Sequence, residues 1–271
     1  MTKLIPIICL FVIIGGSLFY SCSQEKKEEI AIVLPLDAAL SQAGENRVEL
    51  EKVLHRYQSS PSDSLKYRAA CFLIENMPSY TYYKGKLLEQ YLTFFTLLQE
   101  ARSKKVYPQA MIDSIRRMYG PFSLDSLRYC KDVLTVDSAY LCNNIDWAFK
   151  VWQEQPWGKN VSFADFCEYI LPYRIGDETL SYWREDIYRK YNPLLDSLRA
   201  STVLDIEDPL VAARCLCDSL RKRSRFFTTT VPQGLPHVGP EIAQSVSGSC
   251  RELSDYVVYV CRALGIPCAI D

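Results

Sequence analysis

Ser247-Gly248-Ser249-Cys250-Arg251-Glu252-Leu253, running on to Cys261-Arg262-Ala263-Leu264-Gly265-Ile266-Pro267, carries a full set of helix signals. Ser249 and Glu252 have the spacing of a capping box. In that arrangement the hydroxyl accepts from the Glu252 backbone N–H and the carboxylate reaches back to that of Ser249. Leu253, Val257, Val260, Cys261 and Leu264 recur at helical spacing and make one apolar stripe. Gly265 suits the left-handed position just past a helix, and Pro267 stops any continuation. Glu252 and Asp255 near the start and Arg262 near the end complement the helix dipole. The stretch predicts a buried helix of roughly four turns.

Cys250 falls at the first helical position, beside backbone N–H groups that have no partner within the helix, a placement at which thiolate is favoured. Gly248 removes a side chain just before it and lets another backbone or a substrate approach closely. A nucleophilic cysteine with an amide nearby to hold an oxyanion is what acyl transfer requires. The competing reading is a small buried hydrophobe, the commoner role of a free cysteine.

Gly248-Ser249-Cys250-Arg251-Glu252, with Tyr256 to Leu264 and then Gly265-Ile266-Pro267-Cys268-Ala269-Ile270-Asp271, resembles the cysteine helix of the transglutaminase-like superfamily, which has the papain-like cysteine-enzyme fold. The resemblance covers about the last quarter of the chain. It implies that Cys250 is the nucleophile and that a strand of an antiparallel sheet follows the Gly-Ile-Pro turn. It also implies a catalytic histidine and then an aspartate on later strands. Gln244 stands six residues before Cys250, the offset of the oxyanion-hole glutamine in papain-like enzymes, and is a further candidate by that resemblance.

The family order puts histidine and aspartate after the cysteine helix, whereas His55 and His237 both precede Cys250. His237, in Leu235-Pro236-His237-Val238-Gly239-Pro240, reads as an ordinary loop histidine, with a substitute base as the alternative. The resemblance therefore implies that residues 1–271 are the N-terminal part of a longer protein and do not catalyse alone. With the missing groups supplied, the expected activity is acyl transfer on amide bonds of a peptide or protein substrate. Hydrolysis is favoured over cross-linking, because water is abundant and no amine-binding feature is visible. The rival expectations are a non-catalytic binding or scaffold lipoprotein that keeps the fold, and a purely helical interaction module.

A length of 271 residues allows one large or two modest domains. A net charge of −1 gives no basis for binding nucleic acid. With 18 tyrosines and only 11 glycines the composition suits a packed helical protein better than a β-sandwich. The predicted fold class is mainly α: a helical N-terminal domain over 46–200, then the incomplete start of an α+β transglutaminase-like core over 201–271.

Lys3 followed by the mostly apolar run Leu4 to Phe19 predicts a signal peptide over 1–21. The run contains Pro6, Gly15 and Gly16 and falls short of the roughly 20 residues a membrane span needs. Ser21-Cys22 resembles a bacterial lipobox, although Phe19 and Tyr20 replace its usual aliphatic and small residues. The implied consequence is cleavage before Cys22 and lipidation there, giving an exported, membrane-anchored lipoprotein facing the periplasm or the cell surface. Residues 22–45, charged from Glu25 to Glu29, read as a tether.

Cysteine spacings are irregular and several cysteines lie on apolar helix faces, so mostly free, buried thiols are expected despite a disulfide-permissive compartment. Cys215-Leu216-Cys217 is too tight a pair for a usual zinc site, and neither metal nor cofactor is expected.

In the middle of the chain, helices are predicted over 46–57, 64–77, 85–105, 108–119, 123–134 and 138–153. Tyr80-Thr81-Tyr82-Tyr83 is predicted as a loop. Ser162 caps a helix that must break near Leu171, ahead of Pro172. Arg174, Glu178 and Arg184 are expected to form a buried ion network, or else to face a cleft. Asp208-Pro209 opens a helix to about Arg223, and 226–244 is a loop leading to Cys250.

Overall fold

Leu50, Val53, Leu54 and Tyr57 are buried on one face of helix α2 (Arg47–Gln58), as their spacing requires. We analysed a computed structural model that describes residues 35–93, 110, 113–114, 117–118, 120, 122–223, 227–228, 235–243, 247–248 and 250–270. The predicted signal peptide, Cys22, residues 22–34 of the tether, Gln244 and Ser249 lie outside those residues; the rest of the predicted tether is instead folded, with Ala39, Leu40 and Ala43 buried because their apolar side chains pack into the first core. Residues 32–271 pack as one unit, and the described part is mainly α. No helix among the described residues is long and apolar enough to cross a membrane.

The first core is built by α1 (Leu36–Gln42), α2, α3 (Ser64–Asn76) and the helices that follow. Ala69 and Ala70 of α3 are fully buried together with Leu73 and Ile74. Each large apolar side chain enclosed here contributes about 1.5–3 kcal/mol.

Tyr80 to Tyr83 and Ser123 to Leu134 depart from expectation together. Strand β1 (Thr81–Lys84) pairs antiparallel with β2 (Arg128–Lys131), with Tyr82 opposite Cys130 and Tyr83 opposite Tyr129. The predicted 123–134 helix is instead β2 flanked by the 3-10 turns Leu124–Ser126 and Asp132–Leu134. The physical reason is cross-strand pairing of aromatic residues, which favours strand over helix. The Tyr83 and Tyr129 rings meet edge to face at 5.6 Å.

Asp137 caps α4 (Ser138–Glu154), its Oδ1 accepting from the Tyr140 N–H at 2.7 Å. Ser162 caps α5 (Phe163–Tyr169), its Oγ accepting from the Asp165 N–H at 3.1 Å. That helix ends before Pro172, as expected, and leaves the carbonyls of residues 170–172 without intrahelical donors. Two buried guanidinium groups serve them. Arg184, at the start of α6 (Arg184–Tyr191), donates through Nη2 to the carbonyls of Ile170, Leu171 and Pro172. Arg262 donates through Nη1 to those of Pro172 and Arg174.

The second core draws on residues from both sides of position 200, among them Trp157, Trp183, Ile187, Leu198, Leu216, Tyr256, Tyr259 and Leu264. Helix α7 (Pro209–Arg223) opens as expected, with Asp208 Oδ1 accepting from the Leu210 N–H at 2.8 Å. After it, β3 (Phe227–Thr228) pairs in parallel with β4 (Ser247–Gly248), and between them lies the short helix α8 (Pro240–Ala243).

Helix α9 (Cys250–Ala263) is the element on which the second core closes. Its end has the hydrogen bonds of a Schellman motif. The Ile266 N–H bonds to the Cys261 carbonyl at 2.9 Å and the Gly265 N–H to that of Arg262 at 3.3 Å, with Gly265 at φ +71°. Trp157 Nε1 donates to the Leu264 carbonyl at 2.9 Å and ties this end to the turn after α4.

Candidate active site at the start of the cysteine helix

Cys250 is the first residue of α9, exposed and in no disulfide. Its approach is held by the pairing of Ser247 with Phe227 and Gly248 with Thr228. The two capping partners part at the limit of the described residues: Ser249 lies outside them. Glu252 is buried, its Oε1 accepting from Arg251 Nε at 2.9 Å and Nη2 at 2.7 Å.

Burial of α9 exceeds the single stripe read from its sequence. Val260, Cys261 and Leu264 are buried as expected, whereas Leu253 and Val257 are only partly so. Glu252, Asp255, Tyr259 and Arg262, spaced three, four and three apart, form a second buried face that is polar. A buried polar face is stable only when its groups are satisfied, and partners from upstream segments meet it.

Asp255 meets His237. The imidazole Nδ1 lies 2.8 Å from Asp255 Oδ2, while the His237 backbone N–H donates to Asp177 Oδ1 at 2.8 Å. Among the described residues Asp255 Oδ1 is buried and has no hydrogen-bond partner. The hydrogen bond to Asp255 raises the His237 pKa against the opposing effect of burial. Burial in turn pushes the Asp255 carboxyl up. Gly176 lies against the ring: a Cβ there would sit 2.4 Å from His237 Cδ2 and 2.6 Å from Nε2. Among the described residues no hydrogen-bond partner faces Nε2.

Tyr259 meets Glu178, its hydroxyl donating to Oε1 at 2.7 Å. Glu178 also accepts from the N–H groups of Ile175 and Gly176, each at 2.8 Å. Arg174 bonds Asp132 bidentately, Nε to Oδ2 and Nη2 to Oδ1 at 2.7 Å, with a Glu178 oxygen 3.9 Å from its Nη1. Arg174 and Glu178 thus share a buried network that Asp132 completes. Arg184 stands apart from it, with Asn144 Oδ1 at 2.5 Å and backbone carbonyls as its acceptors.

Nothing in the reading of Asp255 as a dipole residue, or of His237 as a loop histidine, pairs the two. The available signal was the polar spacing of residues 252, 255, 259 and 262 on a helix already marked as buried. Chemically, α9 presents an exposed thiol at its first residue and, from its second turn, a carboxylate that orients an imidazole. Among the described residues no group of three or more His, Cys, Asp or Glu side chains is arranged to hold a metal. No protein-family model matches the chain, and no curated protein or solved structure matches it.

Proposed function

We propose that the protein is an exported, lipid-anchored, transglutaminase-like protein in which Cys250 is the nucleophile of acyl transfer at amide bonds of a peptide or protein substrate. The observation that carries this reading is the exposed, unpaired Cys250 at the first residue of α9, a helix that also bears the carboxylate of an imidazole–carboxylate pair. The resemblance of residues 248–271 to the superfamily's cysteine helix supports the same assignment.

In this mechanism the thiolate attacks the amide carbonyl carbon, and backbone N–H groups at the helix start hold the oxyanion. Collapse breaks the C–N bond, and the departing amine takes a proton from an imidazolium. Water, giving a proton to the imidazole, then attacks the thioester and releases the acid and the thiolate, restoring the thiolate–imidazolium pair. The resemblance puts that imidazole after the cysteine helix; of His55 and His237, it is His237 that the structure sets against α9, through Asp255. Gln244 is a candidate second oxyanion donor.

The test compares the complete gene product with its Cys250→Ala variant for hydrolysis of an amide substrate library and for capture of an acyl-enzyme by mass spectrometry. An acyl adduct on Cys250, absent together with turnover from Cys250→Ala, is expected. Turnover that survives the substitution refutes the assignment, and absence of both adduct and turnover in the wild type favours a scaffold lipoprotein.

A further inference from the structure

Strand β2 is the outward side of the β1–β2 ribbon. Arg128, Tyr129 and Lys131 are exposed, Tyr129 by 55%, and only Cys130 is buried. Lys84 stands directly opposite Arg128 across the ribbon, and like charges in that position repel. Among the described residues Lys84, Arg128 and Lys131 form no ion pair.

The backbone of β2 is open as well. The Asp132 N–H donates to the Tyr80 carbonyl at 3.0 Å, which in this register makes Tyr82–Cys130 and Lys84–Arg128 the hydrogen-bonded pairs. The N–H and C=O groups of Tyr129 and Lys131 therefore point away from β1. Thr135 Oγ1 donates to the Lys131 carbonyl at 3.1 Å. Among the described residues the Tyr129 N–H and carbonyl and the Lys131 N–H have no hydrogen-bond partner.

We propose that the free edge of β2 binds an extended acidic peptide segment, which joins the ribbon as a third strand. Main-chain hydrogen bonds to Tyr129 and Lys131 hold the segment, and side chains select it. Arg128 and Lys131 point to opposite faces of the ribbon, so two carboxylates three residues apart on the peptide meet one cation each. The carboxylate opposite Arg128 also offsets its repulsion with Lys84, and a β-branched residue opposite Tyr129 packs on that ring. Charge decides the occupant. A second copy of the chain brings cations against cations, whereas an acidic strand is attracted. The surface is independent of Cys250, so its failure leaves the proposed nucleophile untouched.

The full-length protein is titrated with the labelled peptide Thr-Glu-Val-Thr-Glu-Val-Thr, with its counterpart carrying glutamine for both glutamates, and with an N-methylated form that cannot donate along one edge. Fluorescence anisotropy reads binding, and hydrogen exchange reads the amides of Tyr129 and Lys131. The glutamate peptide should bind at least about tenfold more tightly than the other two and slow exchange at both amides. The double variant Arg128→Glu, Lys131→Glu should release it and bind the corresponding lysine peptide instead. Equal binding of the glutamate and glutamine peptides overturns the proposal, as does binding that leaves both amides unprotected, or no binding. So does protection of the same amides without peptide that rises with protein concentration, which assigns the edge to a second copy.

Discussion

His237 Nδ1 lies 2.8 Å from Oδ2 of Asp255, and the imidazole is 23% exposed where the carboxylate is only 1% exposed. The pair therefore puts a solvent-reached ring on a buried anchor, the geometry in which a carboxylate fixes an imidazole's orientation and tautomer. Asp177 and Glu178 also face this ring with negative charge.

Stability is expected to depend on pH through this pair. The folded-state pKa of His237 is raised above its ordinary 6.5, so the folded chain holds the proton more tightly than the unfolded one. The stabilisation is complete below that ordinary value and is lost as pH rises through the folded value. Thermal melts from about pH 6 to about pH 9 should show a falling Tm, and Asp255→Asn should flatten the profile. An equal slope in both proteins would show that the pair does not carry it.

Gly176→Ala should act through His237. The glycine is not needed for a left-handed backbone, so the added Cβ, 2.4 Å from the ring carbon, is the source of strain. In a double-mutant cycle, Gly176→Ala should cost at least about 1 kcal/mol more in the presence of His237 than in His237→Ala. Additive costs in urea denaturation would contradict the close packing.

Removing Arg184 should be among the most damaging single changes. Its guanidinium is buried, lowered to about 9 by burial and the neighbouring Arg262, and hydrogen-bonded to Asn144 and the carbonyls of the 170–172 turn. Arg184→Met leaves those acceptors unsatisfied, and a loss on the order of 3 kcal/mol is expected from chemical denaturation. Arg184→Lys should recover little, because one ammonium lacks the planar fork. A loss below about 1 kcal/mol would mean that the turn finds other donors.

Gly265→Ala should loosen the end of the cysteine helix. Gly265 has φ +71°, and a Cβ there would lie 2.7 Å from the Val151 carbonyl oxygen. Left-handed backbone alone costs an alanine roughly 1–2 kcal/mol, and the contact with α4 adds to it. Hydrogen exchange should speed at the amides of Ile266 and Gly265, which close the Schellman turn; unchanged exchange there would count against the strain.

Helix ends and local caps were legible in the sequence because their physics is local. Ser162, Asp208 and Gly265 each act within a few residues, and each occupies the position its chemistry predicted. The β1–β2 pair was not legible, since Tyr83 and Tyr129 are far apart in the chain and each lies in a stretch that reads differently alone. The same holds at the candidate site. Cys250 stood out through its neighbours, whereas Asp255 became meaningful only when the 235–239 loop was placed against it.

The two guanidinium groups on the 170–174 turn also have a consequence for how the chain is made. Arg184 follows its acceptors closely, but Arg262 is separated from Pro172 by 90 residues. As synthesis proceeds from the amino terminus, the turn, the Arg174–Glu178 network and Trp157 emerge long before the helix that completes them. Until residues 250–264 leave the ribosome, those polar groups must rely on water, and the second core stays open on one side. A chain threaded across a membrane in the same direction meets the same order of events, so its nascent form exposes this face to any binding chaperone.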